Sequence, residues 1–392
     1  MTPAARVQAA IEILDEVIGS ARDDGPPADT IIQRYFKVRR YAGSKDRRAV
    51  RELVFRAIRR SGERPATGRA AMIGLADDEA AVLDLFDGSP HGPAVRKPAE
   101  PVAPASLVPE WLQPLLSAHL APAEWPALLE RAPLDLRVNV ARTTREQMAG
   151  QFPGSAPTPL SPWGLRLPAD SRVDDQPAFA EGLVEVQDEG SQLIALACQP
   201  GESMKILDLC AGAGGKSLAL AAAAPGAEII ATDTNRARLA QLPIRAGRAQ
   251  ASIVTRLLDG GREAAQLAEL EGQCDIVLID APCSGSGTWR RNPEGRWRLT
   301  PDRLDRLATL QQRLLDLAAP LVKPGGALVY ATCSMIRAEG ADQARNFLGR
   351  HSSWVVQEMP FDGGRTDGPG RLLTPAHDAT DGFFIARFAK PC

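Results

Sequence analysis

No stretch of this 392-residue chain approaches the run of about 18 uninterrupted apolar residues that a membrane span requires. Near the N-terminus, Asp15 and Glu16 soon follow an alanine-rich stretch, which is not the pattern of a secretory signal. A cytoplasmic protein is expected. The six cysteines, at 198, 210, 274, 283, 333 and 392, are too few and too scattered for a disulfide framework. None forms a CxxC pair of the zinc-binding or redox kind, so reduced thiols are expected. Four dispersed histidines supply no ligand cluster, and no metal is expected. What is plentiful is ordinary for a soluble globular chain, 44% apolar and 24% charged. At roughly 150 residues per domain the length suggests two or three domains.

The formal net charge of −2 does not suggest a nucleic-acid binder, but it conceals a polarised distribution. Between Arg34 and Arg60, eleven Lys or Arg (34, 37, 39, 40, 45, 47, 48, 51, 56, 59 and 60) stand against Asp46 and Glu52. Such an excess is a strong electrostatic patch, or else a solvated helical face. Residues 3–86 read as helices: Ala5–Ile18 carries apolar residues at helical spacing, Asp46–Arg60 does so around Val50, Leu53, Val54 and Ile58, and a third pattern runs through Ala80–Phe86. The expected organisation is a basic all-helical domain over 1–88 and a linker over 89–104, where prolines stand at 90, 93, 98, 101 and 104. A small α+β subdomain over 105–185 follows, with short helices at Glu110–Leu120 and Pro126–Arg131 and strand-like pieces at Leu134–Val140 and Gly164–Leu167. A larger domain occupies 186–392.

In that last domain strand candidates at Lys205–Leu209, Glu228–Asp233, Ile253–Leu258, Asp275–Ile279 and Ala327–Ala331 are separated by helical stretches. This alternation is that of a doubly wound α/β sheet. A helix from Pro301, capped by Thr300 and stopped by Pro324-Gly325-Gly326, connects two of the strands, and Gly382–Phe388 completes the sheet.

The first of these strands runs into Asp208-Leu209-Cys210-Ala211-Gly212-Ala213-Gly214-Gly215-Lys216. A glycine-rich turn at a strand's carboxyl end lets backbone approach a ligand closely. By itself the turn fits NAD, a nucleotide or S-adenosylmethionine. It misses the GxGxxG dinucleotide fingerprint because Ser217 stands at the third glycine, and the phosphate-binding GxxxxGK[ST] loop because Cys210 stands at the first. Asp233, about twenty residues on, suits a ribose, and a third strand ends at Asp259. Acids after successive strands, without a phosphate-binding arginine in the loop, favour S-adenosylmethionine.

Two further strands deliver Asp280-Ala281-Pro282-Cys283-Ser284-Gly285-Ser286-Gly287 and Tyr330-Ala331-Thr332-Cys333-Ser334-Met335 to the same sheet edge. Carbon 5 of cytosine is not nucleophilic enough to attack a methylsulfonium. A thiolate adding to carbon 6 makes it so, and once hydrogen 5 is removed a second thiol or thiolate can assist release. Methylation of nitrogen or oxygen needs neither step, so paired cysteines point to carbon methylation. Lys216 or a helix start supplies the positive charge that a thiol of pKa about 8.5 needs in order to ionise. Asp280 suits the cytosine amine or ring nitrogen. Cys198, Cys210 and Cys274 read as small buried hydrophobes, and Cys392 as an inert terminal residue.

At these motifs the chain resembles the RNA 5-methylcytosine methyltransferases, specifically the bacterial 16S ribosomal RNA branch of Sun/Fmu type with a NusB-like N-terminal domain. Gln187-Asp188-Glu189-Gly190-Ser191-Gln192 and Trp289-Arg290-Arg291-Asn292-Pro293-Glu294 carry the resemblance as well. It implies a Rossmann-like class I methyltransferase domain with a seven-stranded mixed sheet, preceded by the NusB-like domain and an RNA-recognition-like subdomain. It further implies that Cys333 is the nucleophile and that Cys283 assists release, an assignment the spacing leaves open. Cofactor contacts are implied for Cys210, Ala211, Gly212, Ala213, Gly214, Gly215, Lys216, Asp233, Arg238, Asp259 and Asp280, with Lys216 also near the target base. Arg34-Tyr35 and Gly43-Ser44-Lys45-Asp46-Arg47-Arg48 look like the RNA-binding part of a NusB-type domain. RNA contacts are accordingly expected from Arg39, Arg40, Lys45, Arg47, Arg48, Arg290 and Arg291. Ala213 departs from the proline that many members carry, and Gly340 follows Glu339 where an Asn often stands.

Chemistry on a base requires it to leave the stack. The Trp289–Arg298 segment, with Trp289, Trp297 and arginines 290, 291, 296 and 298, is read as a substrate clamp, the alternative being tryptophans that pack the fold. A monomer acting on ribosomal RNA is expected. A transfer RNA cytosine methyltransferase and a non-catalytic RNA-binding assembly factor are the alternatives.

Overall fold

Val7, Ala10, Leu14, Val17 and Ala21 recur at helical spacing, and all five are buried along one face of α1 (Pro3–Arg22). Thr2 caps this helix by accepting from Ala5 N at 3.2 Å, and Pro3 fills its first turn. With α2 (Ala28–Lys37), α3 (Ser44–Arg60) and α4 (Gly68–Asp78) it encloses a common apolar core. In α4 every residue from Gly68 to Ala76 except Arg69 is buried, so it carries no amphipathic stripe. A side chain at Gly68 would run into the Ile11 carbonyl of α1. The Ala80–Phe86 pattern yields a single helical turn, Ala80–Leu83.

The structure, a computed structural model, describes residues 1–168 and 171–392. The chain forms two compact units. One comprises Met1–Leu116, Pro122–Glu130 and Thr288–Pro301; the other comprises Ser117–Ala121, Arg131–Gly287 and Asp302–Cys392. The expected boundaries at 88, 104 and 185 do not coincide with these. The proline-rich stretch 89–104 lacks helix and strand, yet it is tied to the helices: Ala103 N donates to Ala70 O at 3.1 Å and Arg60 donates to Ala103 O at 2.6 Å. Glu110–Leu115 and Pro122–Leu128 are 3-10 turns rather than the expected helices, because Pro114 and Pro126 lie inside them.

The second unit contains two sheets. The smaller is antiparallel, in the order β2-β3-β1-β4, from β1 (Leu134–Val138), β2 (Ala156–Pro157), β3 (Gly164–Leu167) and β4 (Val184–Val186). The larger uses β5 (Lys205–Asp208), β6 (Glu228–Asp233), β7 (Val254–Leu257), β8 (Cys274–Asp280), β9 (Val322–Thr332), β10 (Val355–Val356), β11 (Arg365–Asp367), β12 (Gly370–Leu373) and β13 (Phe383–Ala389). Their order is β11-β12-β13-β9-β8-β5-β6-β7, with β10 also on β13. Strands β5 to β9 pair in parallel and β13 runs antiparallel to β9, the Rossmann-like mixed sheet that was expected. It has nine strands instead of seven; β10 and β11, of two and three residues, are too short for a periodic signal. Ile276 to Ile279 and Leu328 to Ala331 are buried without alternation, as strands covered on both faces must be.

The helix after Pro301 ends at Ala318, short of the expected stop. Pro324-Gly325-Gly326 instead lies within β9, where Gly325 N donates to Lys390 O and Gly326 O accepts from Lys390 N at 3.1 and 2.9 Å, continuing the ladder. Among the described residues no helix is long and apolar enough to cross a membrane.

Candidate active site

Strand β5 ends at Asp208, and the chain turns through two residues with positive φ, Gly212 at 56° and Gly214 at 83°, before the helix Gly215–Ala223. A side chain at Gly214 would strike Leu242, and one at Gly212 would have to displace the Arg238 guanidinium, both from a left-handed backbone that favours glycine. The loop is also held from behind: Arg245 donates to Ala213 O at 2.6 Å and to Glu185 at 2.8 Å. Nothing in the local sequence marks Arg245 for this role.

A cavity of about 520 Å³ opens over this loop, lined by Cys210, Asp233, Arg238, Asp280, Cys283 and Cys333, among others, with Leu258, Leu307, Leu310 and Leu314 as apolar wall. Its size and its mix of apolar wall and few polar groups suit an adenosyl ligand. Asp233 accepts from Gly212 N at 2.7 Å and from Asn235 N at 2.6 Å, and each oxygen keeps a lone pair for a ribose hydroxyl. A second cavity of about 320 Å³ shares Arg238 and Asp280 with the first and is lined also by Asp208, Ala211, Ala213, Gly215 and Lys216. Asp259 lines neither. It is exposed, with its backbone N–H and its carboxylate bonded to Gln266, and only Leu258 before it reaches the cavity.

Asp280 ends β8 and Cys283 follows it, and Cys333 follows β9, which is paired beside β8 in parallel. Parallel pairing brings both loops to one edge and leaves the Cys283 and Cys333 sulfurs 3.3 Å apart. Lys216, at the start of the helix after the glycine loop, donates to Asp280 at 2.7 Å. Burial alone would pull its ammonium down, but the charge of Asp280, their hydrogen bond and the negative charge of Cys333 outweigh it and hold the lysine above its ordinary value. Cys283 is pushed well above the usual thiol range, first by its hydrogen bond to Cys333, then by burial and the charges of Cys333 and Glu339. The four residues expected to carry the chemistry are thus brought together.

The remaining cysteines differ from this pair. Burial raises Cys198, and raises Cys274 to about 11; burial, helped by Asp208, Asp233 and Asp280, raises Cys210 well above its ordinary value. Cys392 is exposed. Asp208, fully buried, is pushed up to about 7 by burial against the opposing Ser217 hydrogen bond of 2.6 Å. Glu339, noted in the sequence only for the residue after it, bonds through its carboxylate to the residue after each reactive cysteine.

Residues 193–389 match the family described as 16S rRNA methyltransferase RsmB/F. The chain belongs to this family. Ribosomal RNA small subunit methyltransferase B of Salmonella paratyphi B is 37% identical over 292 residues, which cover 72% of this chain and 66% of that protein. The protein of the same name from Salmonella typhi matches to the same extent. The matched region therefore spans slightly under two thirds of these relatives. Among solved structures, PH0851 superposes with a TM-score of 0.77 at 23% identity, covering 100% of this chain and 99% of the other. NSun6 from Pyrococcus horikoshii, solved with SFG, gives 0.64 at 19% identity, covering 72% and 97%. Both likenesses are of fold.

In this RsmB/F member the Trp289–Arg298 segment is not a solvent-facing clamp, which corrects the expectation. Trp289, Arg296 and Trp297 are 1%, 1% and 2% exposed. Trp297 joins the core of the helices and donates through Nε1 to Ser61 O at 2.8 Å. Arg296 donates to the carbonyls of Pro293, Leu107 and Ile58 at 3.0, 2.6 and 2.6 Å, and Arg298 to those of Gly25 and Pro26 at 2.9 Å. The arginines are spent on backbone acceptors of the helical unit. Arg290 is buried and Arg291 half-buried, so neither matches the expected RNA-contacting surface.

The basic run of the helical unit divides in two. Arg39 stacks 3.6 Å over the Tyr35 ring and pairs with Glu12, and Arg47 donates to Ala42 O at 2.9 Å. Arg51, Arg56 and Arg60 pair with Asp29, Glu79 and Asp78. Arg34, Lys37, Arg40, Lys45 and Arg48 are exposed, and no ion pair or side-chain hydrogen bond holds them among the described residues. Between them Val38 and Tyr41 are 78% and 72% exposed.

Proposed function

We propose that the chain transfers a methyl group from S-adenosylmethionine to carbon 5 of a cytosine in RNA, with 16S ribosomal RNA the leading substrate, through a covalent cysteine–cytosine intermediate. The observation that carries this reading is the 3.3 Å approach of Cys283 and Cys333 beside the Lys216–Asp280 pair, on the cavity that also holds Cys210 and Asp233. Among methyl transfers, methylation at a pyrimidine carbon uses a covalent thiol and a second thiol beside it, whereas methylation at nitrogen or oxygen needs neither. The names of the relatives, small-subunit ribosomal RNA methyltransferases, favour ribosomal over transfer RNA.

S-adenosylmethionine, when bound, supplies the methyl group as an electrophile. Gly212, Gly214 and Asp233 would hold its adenosyl part, with Arg238 at the rim. Cys333, next to the Lys216 charge, ionises and adds to carbon 6 of the cytosine, and Asp280 hydrogen-bonds the base edge. The electron pair thereby pushed to carbon 5 takes the methyl group, whose bond to the sulfonium breaks and leaves a neutral thioether. Hydrogen 5 then passes as a proton to water, its bonding pair restores the ring double bond, and Cys333 leaves as a thiolate. Cys283, kept protonated by its neighbours, donates to the Cys333 sulfur and assists that departure. The free cations of the helical unit, with Tyr41 as a stacking surface, would grip the RNA. A reducing compartment such as the cytoplasm suits a pair of thiols this close.

The test is to incubate the protein with methyl-labelled S-adenosylmethionine and either unmodified 16S ribosomal RNA or bulk transfer RNA, then digest and identify the labelled nucleoside. Label in 5-methylcytidine from the ribosomal RNA is expected. Label in another nucleoside, or none despite cofactor binding, would reject the reading.

A further inference from the structure

Glu339 is fully buried, and the chemistry just described does not use it. Its Oε1 accepts from Ser284 N at 2.8 Å and from Gln311 Nε2 at 3.0 Å. Its Oε2 accepts from Ser334 Oγ at 2.5 Å and from the Ser284 hydroxyl. Ser284 follows Cys283 and Ser334 follows Cys333, so one carboxylate grips the residue after each reactive thiol.

The anchor is itself anchored. The Glu339 carbonyl accepts from Tyr330 OH at 2.7 Å and from Thr332 Oγ1 at 3.3 Å, both on β9 just before Cys333. Gln311 Nε2 also reaches Pro282 O at 2.9 Å, the residue before Cys283. Ser286 closes the circuit: its hydroxyl lies 3.1 Å from Ser334 Oγ and accepts from Met335 N at 2.8 Å, while Gly287 N donates to Cys333 O at 3.0 Å. Neither loop is a regular element, so no ladder of its own holds its cysteine in place. A charged acceptor makes hydrogen bonds roughly twice as strong as a neutral one, which suits a group that must order two such loops.

We infer that Glu339 is the positioning residue for both thiols, fixing the spacing of the Cys283 and Cys333 loops without touching substrate. Its negative charge also opposes ionisation of Cys283, alongside the larger effects of Cys333 and burial. This inference rests on the proposed covalent mechanism.

The experiment measures steady-state kcat and KM, equilibrium S-adenosylmethionine affinity and thermal melting for the parent chain, Glu339→Gln and Glu339→Ala. Formation and release of the covalent RNA adduct are followed separately in Ser284→Ala and Ser334→Ala. Misplacing a reacting group by about 1 Å costs about a hundredfold in rate, so Glu339→Ala should lose about that much in kcat. Glu339→Gln, which keeps the shape and one acceptor oxygen, should fall between it and the parent, with KM and cofactor affinity nearly unchanged. Ser334→Ala should slow adduct formation and Ser284→Ala should slow release, a split that a general loss of structure would not give. Parental kcat in folded Glu339→Ala, or equal losses in kcat and cofactor affinity, would overturn the inference. If Glu339→Ala does not fold, parental rates of both steps in the two serine variants would overturn it. An inactive parent chain would overturn the proposed function and this inference with it.

Discussion

Cys283 and Cys333 stand fifty residues apart in the chain and 3.3 Å apart at their sulfurs. Parallel pairing of β8 with β9 makes this possible, because both strands release their loops at the same edge. Two thiolates at that distance repel strongly, so the pair holds one proton over the range in which the other is lost. Lys216 is coupled to Cys333, and the Glu339 charge bears on Cys283. Cys283 is thus the sulfur held protonated, the state that assisting release asks of it.

Cys333→Ala is therefore expected to reduce methyl transfer to background while leaving S-adenosylmethionine binding intact. Cys283→Ala should still form the bond to RNA but release it slowly, so a denaturation-resistant adduct should accumulate on a gel. Normal turnover by Cys333→Ala would contradict the mechanism.

Asp208 offers a test through pH. Burial pushes its carboxyl up to about 7, whereas an unfolded aspartate titrates near 4. An acid raised on folding contributes its full share of stability below its unfolded pKa, and that share is lost as pH rises toward the folded value. Asp208→Asn cannot ionise. Its melting temperature relative to the parent should rise between about pH 4 and pH 7 and level off above. A difference that stays flat with pH would contradict the buried-acid account.

Arg296 and Trp297 should behave as structural residues. Removing the guanidinium in Arg296→Ala leaves the carbonyls of Ile58, Leu107 and Pro293 without that donor, at a cost of about 3 kcal/mol in chemical denaturation. The salt dependence of RNA binding by the folded variant should match the parent. A large change in that dependence without loss of stability would restore the clamp reading.

RNA affinity should fall steeply with salt because the free cations displace counterions from the phosphates. Neutralising Lys37, Arg40, Lys45 or Arg48 should each lower the slope of log affinity against log salt by about 1. Arg51→Ala and Arg60→Ala, whose charges are already paired, should change it less. Affinity that does not vary with salt would remove this surface from the account.

The large sheet was legible because β5, β6 and β8 are apolar runs that end in Asp208, Asp233 and Asp280, and a parallel strand buried on both faces leaves that signature. The cysteine pair was legible from its place after two such strands. What escaped depended on distant partners. Trp289 to Arg298 has the composition of an RNA-contacting loop, and only the remote backbone carbonyls of Gly25, Ile58 and Leu107 show that its arginines are occupied. The eleven charges of the basic run look alike in sequence, and which of them are neutralised is decided by Glu12, Asp29, Asp78 and Glu79. Glu339 stood out in the sequence only through the residue after it, and its role stayed hidden because two of its partners, Ser284 and Gln311, lie 55 and 28 residues away.

The most direct test of the covalent mechanism uses RNA in which cytosine bears fluorine at carbon 5. Fluorine cannot leave as a cation, so once methyl transfer has occurred the elimination is blocked and the protein should remain attached. Incubation with S-adenosylmethionine, nuclease digestion and mass spectrometry of the peptides should find the modified nucleotide on Cys333. No adduct, or one on Cys283, would contradict the assignment of Cys333 as the nucleophile.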